Sequence, residues 1–237
     1  IGALPYLLRE LSFPVYGTAF TLGLVRHKLA EANVLDRAQL IEVADNERRT
    51  IGQFACEFLP VTHSTPSGFI TVIRTPQGVV LHSGDLKIDP SPVDGRVTNL
   101  SRIEQIAQTE GVRLLLADST NADQPGETRS ETQVGAVLRD IIDGADGRRV
   151  IVASFASHIH RMQQVADAAV ARDRVVVPVG LSMVRNIKLA RDLGLFHIPD
   201  SHIADAESIV DLDPARTCVV CTGSQGEPRS ALWQMVN

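Results

Sequence analysis

The alternation of apolar, β-branched runs with helical repeats in the second half of the chain constrains the fold more than any other feature. From residue 131 onward the pattern predicts helix 131–143, strand 149–155, helix 157–172, strand 174–180 and helix 182–193. A short strand at 195–198, helix 203–210, strand 216–222 and a helix from about 229 complete it. Strands that alternate with helices of this length form a parallel sheet with helices on both faces. The first half reads differently. Residues 39–43, 53–61, 69–74 and 78–82 are β-rich and separated by turn signals such as Asp45-Asn46 and Pro76-Gln77-Gly78. Ahead of them, Leu4, Leu7, Leu8 and Leu11 have helical spacing and residues 14–17 read as a brief strand. Leu22, Val25 and Leu29 then mark a helix capped by Thr18 or Thr21. Behind them, a helix over 100–110 is stopped by Gly111 and followed by strand 112–117. Residues 122–130 are polar with Pro and Gly, so a boundary is expected between a domain over 1–125 and one over 126–237.

Composition narrows the classes of function. The chain has 237 residues, 44% of them hydrophobic, enough for a core of one or two domains. Cys56, Cys218 and Cys221 are too few for a disulfide framework and suit a reducing cytoplasm, the expected location. Cys218 and Cys221 have C-x-x-C spacing, but alternation within a strand-like run points them to opposite faces, which argues against a redox or zinc pair. No apolar run approaches the ~20 residues of a membrane span, and no secretory signal is visible. A net charge of −5 argues against generic polyanion binding, so any contact with a polyanion needs a local basic patch.

Chemistry concentrates at strand ends. Val79, Val80 and Leu81 form a buried strand, Gly84 turns the backbone, and Asp85 stands at the carboxyl end, where open α/β sheets place their sites. Phe58 to Val61 repeat the device, ending in Thr62 and His63. Imidazole nitrogen and carboxylate oxygen together suit zinc. Taken alone, each has a plainer reading: a hydrogen-bonded structural histidine, and turn chemistry for an aspartate after glycine. His82 is expected to be buried or to support the site from behind. Strand 112–117 ends likewise on Asp118, either a site residue or part of a strand-to-loop turn. Residues 150–158 form a strand leading into a helix amino terminus. Its open N–H groups attract phosphate, with Ser154, Ser157 and His158 adding donors and Arg161 within reach; Ser157 serves equally as the helix cap. Arg185 and Lys188 share a helix face and offer a strip for an anionic partner or an ordinary solvated face. The glycines of residues 222–228 permit close backbone approach to a phosphate or a neighbouring domain.

Several phrases occur together and in order: His63-Ser64-Thr65-Pro66; Ser83-Gly84-Asp85-Leu86-Lys87-Ile88-Asp89 with Pro92-Val93-Asp94-Gly95; Ala117-Asp118-Ser119-Thr120-Asn121; Ser154-Phe155-Ala156-Ser157-His158; and Thr222-Gly223-Ser224-Gln225-Gly226-Glu227-Pro228. Over essentially the whole chain they resemble the ribonuclease J family, RNA-processing enzymes with a metallo-β-lactamase fold carrying an inserted β-CASP domain. The resemblance implies an α/β architecture, a partial metallo-β-lactamase αββα sandwich followed by a doubly wound parallel-sheet β-CASP domain, incomplete at its carboxyl end. It implies that His63 and Asp85 are catalytic metal ligands and that Asp118 orients metal-binding histidines. Phe155, Ala156, Ser157 and His158 would line a pocket for a nucleotide phosphate. It implies two zinc ions, with manganese or magnesium as alternatives, an RNA substrate, and a dimer or tetramer of the intact enzyme without a membrane partner. In this family residues 1–8 directly follow an H-x-H-x-D-H segment that supplies most metal ligands, and further histidine motifs come later. The chain is thus expected to be the middle of a larger enzyme, inactive alone. One departure stands out: Ser67 follows Pro66 where the family usually has Asp.

The implied reaction is phosphodiester hydrolysis, as 5′-to-3′ exonuclease, endonuclease or both. Two metal ions about 4 Å apart activate water near neutral pH and neutralise transition-state charge, and Asp85 is suited to bridge them. Two alternatives stay open: a non-catalytic RNA-binding or assembly module, and a metallo-β-lactamase-fold hydrolase of another ester. No G-x-S-x-G elbow occurs, which argues against a serine hydrolase.

Overall fold

The leucine spacing at the start of the chain produces two short helices that share one core. In the computed structural model, α1 (Leu4–Glu10) buries Leu8, and α2 (Ala19–Glu31) buries Phe20, Leu22, Val25 and Leu29. Thr18 precedes α2 without a side-chain cap; its hydroxyl donates instead to Thr21 Oγ1 at 3.2 Å. Helix α2 is the crossover between β1 (Phe13–Gly17) and β2 (Ala38–Glu42), which pair in parallel. Leu8, Val25 and Leu29 pack with Phe13 and Leu40, so the two helices cover one face of this small sheet.

Beyond β2 the chain builds a five-stranded sheet in sequence order: β3 (Arg48–Ile51), β4 (Phe54–Pro60), β5 (Phe69–Thr75), β6 (Gly78–His82) and β7 (Val112–Leu116). The first three junctions are antiparallel, and β6 to β7 is parallel, crossing through α3 (Leu100–Thr109). Alternation divides the strands between two cores. Cys56 and Phe58 meet Val43 and Tyr16, against the β1–β2 sheet. Leu59, Val61, Ile70, Val72, Val79 and Leu81 meet Ile106 of α3 on the other side. The layers therefore run helix, sheet, sheet, helix. Strand β3 lacks the apolar alternation that marks a strand, and was not expected. It forms because Arg48 and Arg49 lie on an edge, paired with Glu57 and Glu47.

The structure describes residues 1–236, which divide into two compact units: Ile1–His63 with Ser67–Thr128, and Ser64–Pro66 with the residues from Arg129. In the second unit the elements are α4 (Glu131–Asp143), β8 (Val150–Ala153), α5 (Ile159–Ala171), β9 (Val175–Val179), α6 (Leu181–Asp192), β10 (Thr217–Cys221) and α7 (Ala231–Val236). The three strands are parallel in the order β8-β10-β9. Central β10 is buried at every residue, as a strand flanked on both edges should be. Cys218 and Cys221 both lie in it, and burial pushes the Cys218 thiol up to about 12, which suits packing rather than chemistry.

Two expected elements differ. Residues 195–198 are not a strand: Phe196 and Ile198 are buried, but without a ladder. The helix expected over 203–210 is a 3₁₀ segment, Ala206–Val210, and Ile203 makes an isolated bridge to Val176 instead. Among the described residues no helix is long and apolar enough to cross a membrane.

Candidate active site

Strands β4 and β6 carry His63 and Asp85 past their carboxyl ends. Gly84, at φ +60°, turns the chain after β6, and its N–H donates to His82 Nδ1 at 3.1 Å. Asp85 then projects into solvent, its side chain 81% exposed, with Oδ2 3.8 Å from His63 Nε2. His63 is 29% exposed, so the pair faces open solvent on one side. His82 is exposed rather than buried, because the backbone turn after it leaves the strand tip uncovered. A cavity of 490 Å³ lies here between His82, Gly84, Asp85, Leu115, Leu116 and Asp118.

The chain approaches this pair through loops held by buried polar contacts. Thr62 and Lys87 form an antiparallel bridge, with Lys87 N–H donating to Thr62 O at 2.8 Å. Thr98, which is buried, accepts from Thr62 N–H at 3.0 Å and donates to Lys87 O at 3.1 Å. Arg96 donates to Val61 O and to Gly68 O, on either side of the loop bearing His63, and pairs with Asp45. Within that loop Ser67 has φ +59°, a left-handed conformation in which aspartate is more at home than serine.

Asp118 stands beside the pair without bonding to a ring nitrogen. Oδ1 accepts from the Thr120 hydroxyl at 2.6 Å and from its N–H at 2.9 Å, and Oδ2 accepts from Leu86 N–H at 3.2 Å. Its own N–H donates to Ser83 Oγ at 2.9 Å. The Thr120 hydroxyl, the two backbone N–H groups and His63 hold its carboxyl below the usual range. The direct grip of Asp118 is thus on the loop that carries Asp85.

His63 and Asp85 form a donor set that zinc accepts, and two donors on one ion stand roughly 3–3.5 Å apart, close to the observed separation. Among the described residues no group of three or more His, Cys, Asp or Glu side chains lies close enough to hold a metal. Two donors fall short of the three protein ligands that a catalytic zinc takes.

In the second unit, residues 154–158 join β8 to α5. Ser154 is buried, Phe155 is exposed, and the Ala156 carbonyl accepts from Asn186 Nδ2 at 2.9 Å. The cap of α5 is His158, not Ser157: its Nδ1 accepts from Arg161 N–H at 3.4 Å. His158 Nε2 lies 3.5 Å from Glu131 Oε2, and Arg161 reaches Glu131 at 2.8 Å and 3.1 Å. Burial pushes the Glu131 carboxyl up, but His158 and Arg161 outweigh it and hold the group at about 2. Arg161, which the sequence left as either a phosphate contact or an ordinary exposed arginine at a helix start, is committed to this ion pair. Nothing in the local pattern predicted this role of Glu131, because it acts across 27 and 30 residues. Elsewhere the basic strip on α6 is partly neutralised, with Lys188 3.0 Å from Asp192 and Arg191 2.5 Å from Asp200. The close approach allowed by Gly223, at φ +120°, is to Ser230 and Leu232 of its own unit.

Comparison with known proteins agrees with this description. Residues 147–237 match the family described as the β-CASP domain of ribonuclease J. The chain is 45% identical over 236 residues to the ribonuclease J of Mycolicibacterium smegmatis, an alignment covering 99% of this chain and 42% of that protein. It is 41% identical over 242 residues to the ribonuclease J of Thermus thermophilus (99% and 42%), and 36% identical over 236 residues to that of Helicobacter pylori strain J99 (99% and 34%). The chain thus spans less than half the length of these relatives. A crystal structure of a protein of unknown function from Enterococcus faecalis V583 shares the fold, with a TM-score of 0.64 at 13% identity, over 90% of this chain and 54% of that one. In sequence these residues are ribonuclease J-like from end to end, with that family's β-CASP domain over residues 147–237.

Proposed function

We propose that this chain serves a metal-dependent ribonuclease in RNA processing, acting as 5′-to-3′ exonuclease, endonuclease or both, with His63 and Asp85 as metal ligands. The observation that carries this reading is His63 Nε2 standing 3.8 Å from Asp85 Oδ2, past the carboxyl ends of β4 and β6, in a ribonuclease J-like sequence. Zinc or manganese, when bound, supplies the positive charge that activates water and stabilises the pentavalent transition state. Asp85, exposed and with two oxygens, presents charge outward, while His63 fixes one donor beside it. Asp118 keeps the Asp85 loop from swinging away by holding Leu86. His158, Glu131 and Arg161 set the shape of the loop over residues 154–158, which lines a phosphate subsite on this reading. RNA is the substrate, the intact protein is a dimer or tetramer in the cytoplasm, and the ions are two.

Replacing the matching 236 residues of the Mycolicibacterium smegmatis relative by this chain provides the test. The chimera should degrade RNA with manganese or zinc, and Asp85→Ala should lower kcat by about three orders of magnitude or more, as expected when several kcal/mol of metal-borne charge stabilisation is lost. A well-folded chimera whose RNA cleavage survives Asp85→Ala would overturn the assignment.

A further inference from the structure

Two hydroxyls on the segment behind the site tie together the two loops that carry His63 and Asp85, and this accounts for contacts that the core does not need. Thr62 and Thr98 are both buried, yet both spend their side chains on backbone groups. Thr98 Oγ1 takes the Thr62 N–H and gives its proton to the Lys87 carbonyl. Thr62 Oγ1 donates to the Arg96 carbonyl at 2.8 Å. One hydroxyl, on Thr98, therefore touches the residue immediately before His63 and the residue two beyond Asp85. Together with the Thr62–Lys87 backbone bridge, these hydrogen bonds restrict the spacing of the two donors, because both donors lie past the last ladder pair of their strands.

We propose that Thr98 is a positioning residue: it sets the separation of His63 and Asp85, and through it the affinity of this pair for a divalent cation. The proposal rests on the metal reading above and concerns what holds the pair, not the ligands themselves. Valine at this position keeps the shape and removes both bonds, while serine keeps the bonds and loses a methyl group. A structural residue alone would not distinguish the two in cation binding, since each leaves the core filled.

The test uses manganese and the chain as it is. Manganese titrated against the 237-residue chain broadens the NMR signals of residues near the bound ion, which reads weak binding directly. Asp85→Ala should abolish broadening at His63; if it does not, the metal reading fails, whatever Thr98 does. With that control in place, Thr98→Val should weaken the apparent affinity about tenfold, the loss seen when supports of metal ligands are removed. It should also speed hydrogen exchange at the Lys87 amide, and Thr98→Ser should restore both. An unchanged affinity in a folded Thr98→Val chain overturns the proposal. If that variant does not fold, Thr98→Ala, which also removes both bonds, decides when read against Thr98→Ser: weaker manganese binding than in the serine chain supports the proposal and equal binding overturns it.

Discussion

Gly84 has no side chain to lose, yet the site depends on it. At φ +60° a Cβ would meet only the Phe69 carbonyl, at 3.7 Å, so the constraint is backbone strain and not a clash. Gly84→Ala should therefore cost about 1 kcal/mol, read as a lower midpoint in urea unfolding. Gly84→Asn should cost less, because asparagine tolerates the left-handed region. Equal costs would mean that space, not conformation, limits the position. This much was legible beforehand: a glycine between an apolar run and an aspartate signals a turn, and His63 and Asp85 are the residue types that end strands at sites. Thr62, Arg96 and Thr98 were not legible. Threonine hydroxyls carry no pattern of their own, and Thr98 reaches Thr62 across 36 residues. The partners of Glu131 were not legible for the same reason. Its partners His158 and Arg161 read correctly as polar groups at a helix start, but their acceptor lies on another helix.

Helices were easier to read than short strands, and α4 shows why. Its apolar periodicity sets its bounds, and Ser130 caps it by accepting from Thr132 N–H at 3.2 Å. Residues 195–198 failed because apolar content alone cannot distinguish a strand from a buried coil: Phe196 and Ile198 fill the core without a partner strand. Gly135 within α4 was also silent in sequence, since glycine in a helix interior looks like a defect. The structure places it against α5, where a Cβ would stand 2.6 Å from the Gln164 carboxamide. Gln164 Nε2 donates to the Glu131 carbonyl at 2.9 Å, so it does not give way freely. Gly135→Ala should then lose the usual gain of about 1 kcal/mol for alanine in a helix and become destabilising by a similar amount. In a Gln164→Ala background the same substitution should be stabilising. A double-mutant cycle by denaturant unfolding measures this coupling, and additivity of the two substitutions would refute the close approach.

Over the whole molecule, each unit contains a carboxylate held well below its usual range by basic partners. In the first unit Glu57, 3% exposed, receives Arg102 at 2.8 Å and 3.1 Å, Arg74 at 2.8 Å and Arg48 at 3.4 Å. The Arg102 bonds, countered by burial and reinforced by Arg74 and Arg48, hold its carboxyl at about 2 instead of 4.5. In the second unit Glu131 sits at about 2 for the reasons given above. Both groups have folded values below the unfolded ones, so at mild acidity the unfolded chain binds protons that the folded chain refuses. Their contribution is complete above about pH 5 and is lost as pH falls from about 4.5 toward 2, at up to about 3 kcal/mol each. Folding free energy measured in urea at pH 7, 4 and 3 should therefore drop steeply over the last two points. Glu57→Gln and Glu131→Gln should each start lower at pH 7, because an arginine cluster in one case and Arg161 in the other is left without its countercharge. Each should also show a shallower loss on acidification. Equal pH slopes in the wild-type and glutamine chains would place the acid sensitivity in other carboxylates and remove these two from the account of stability.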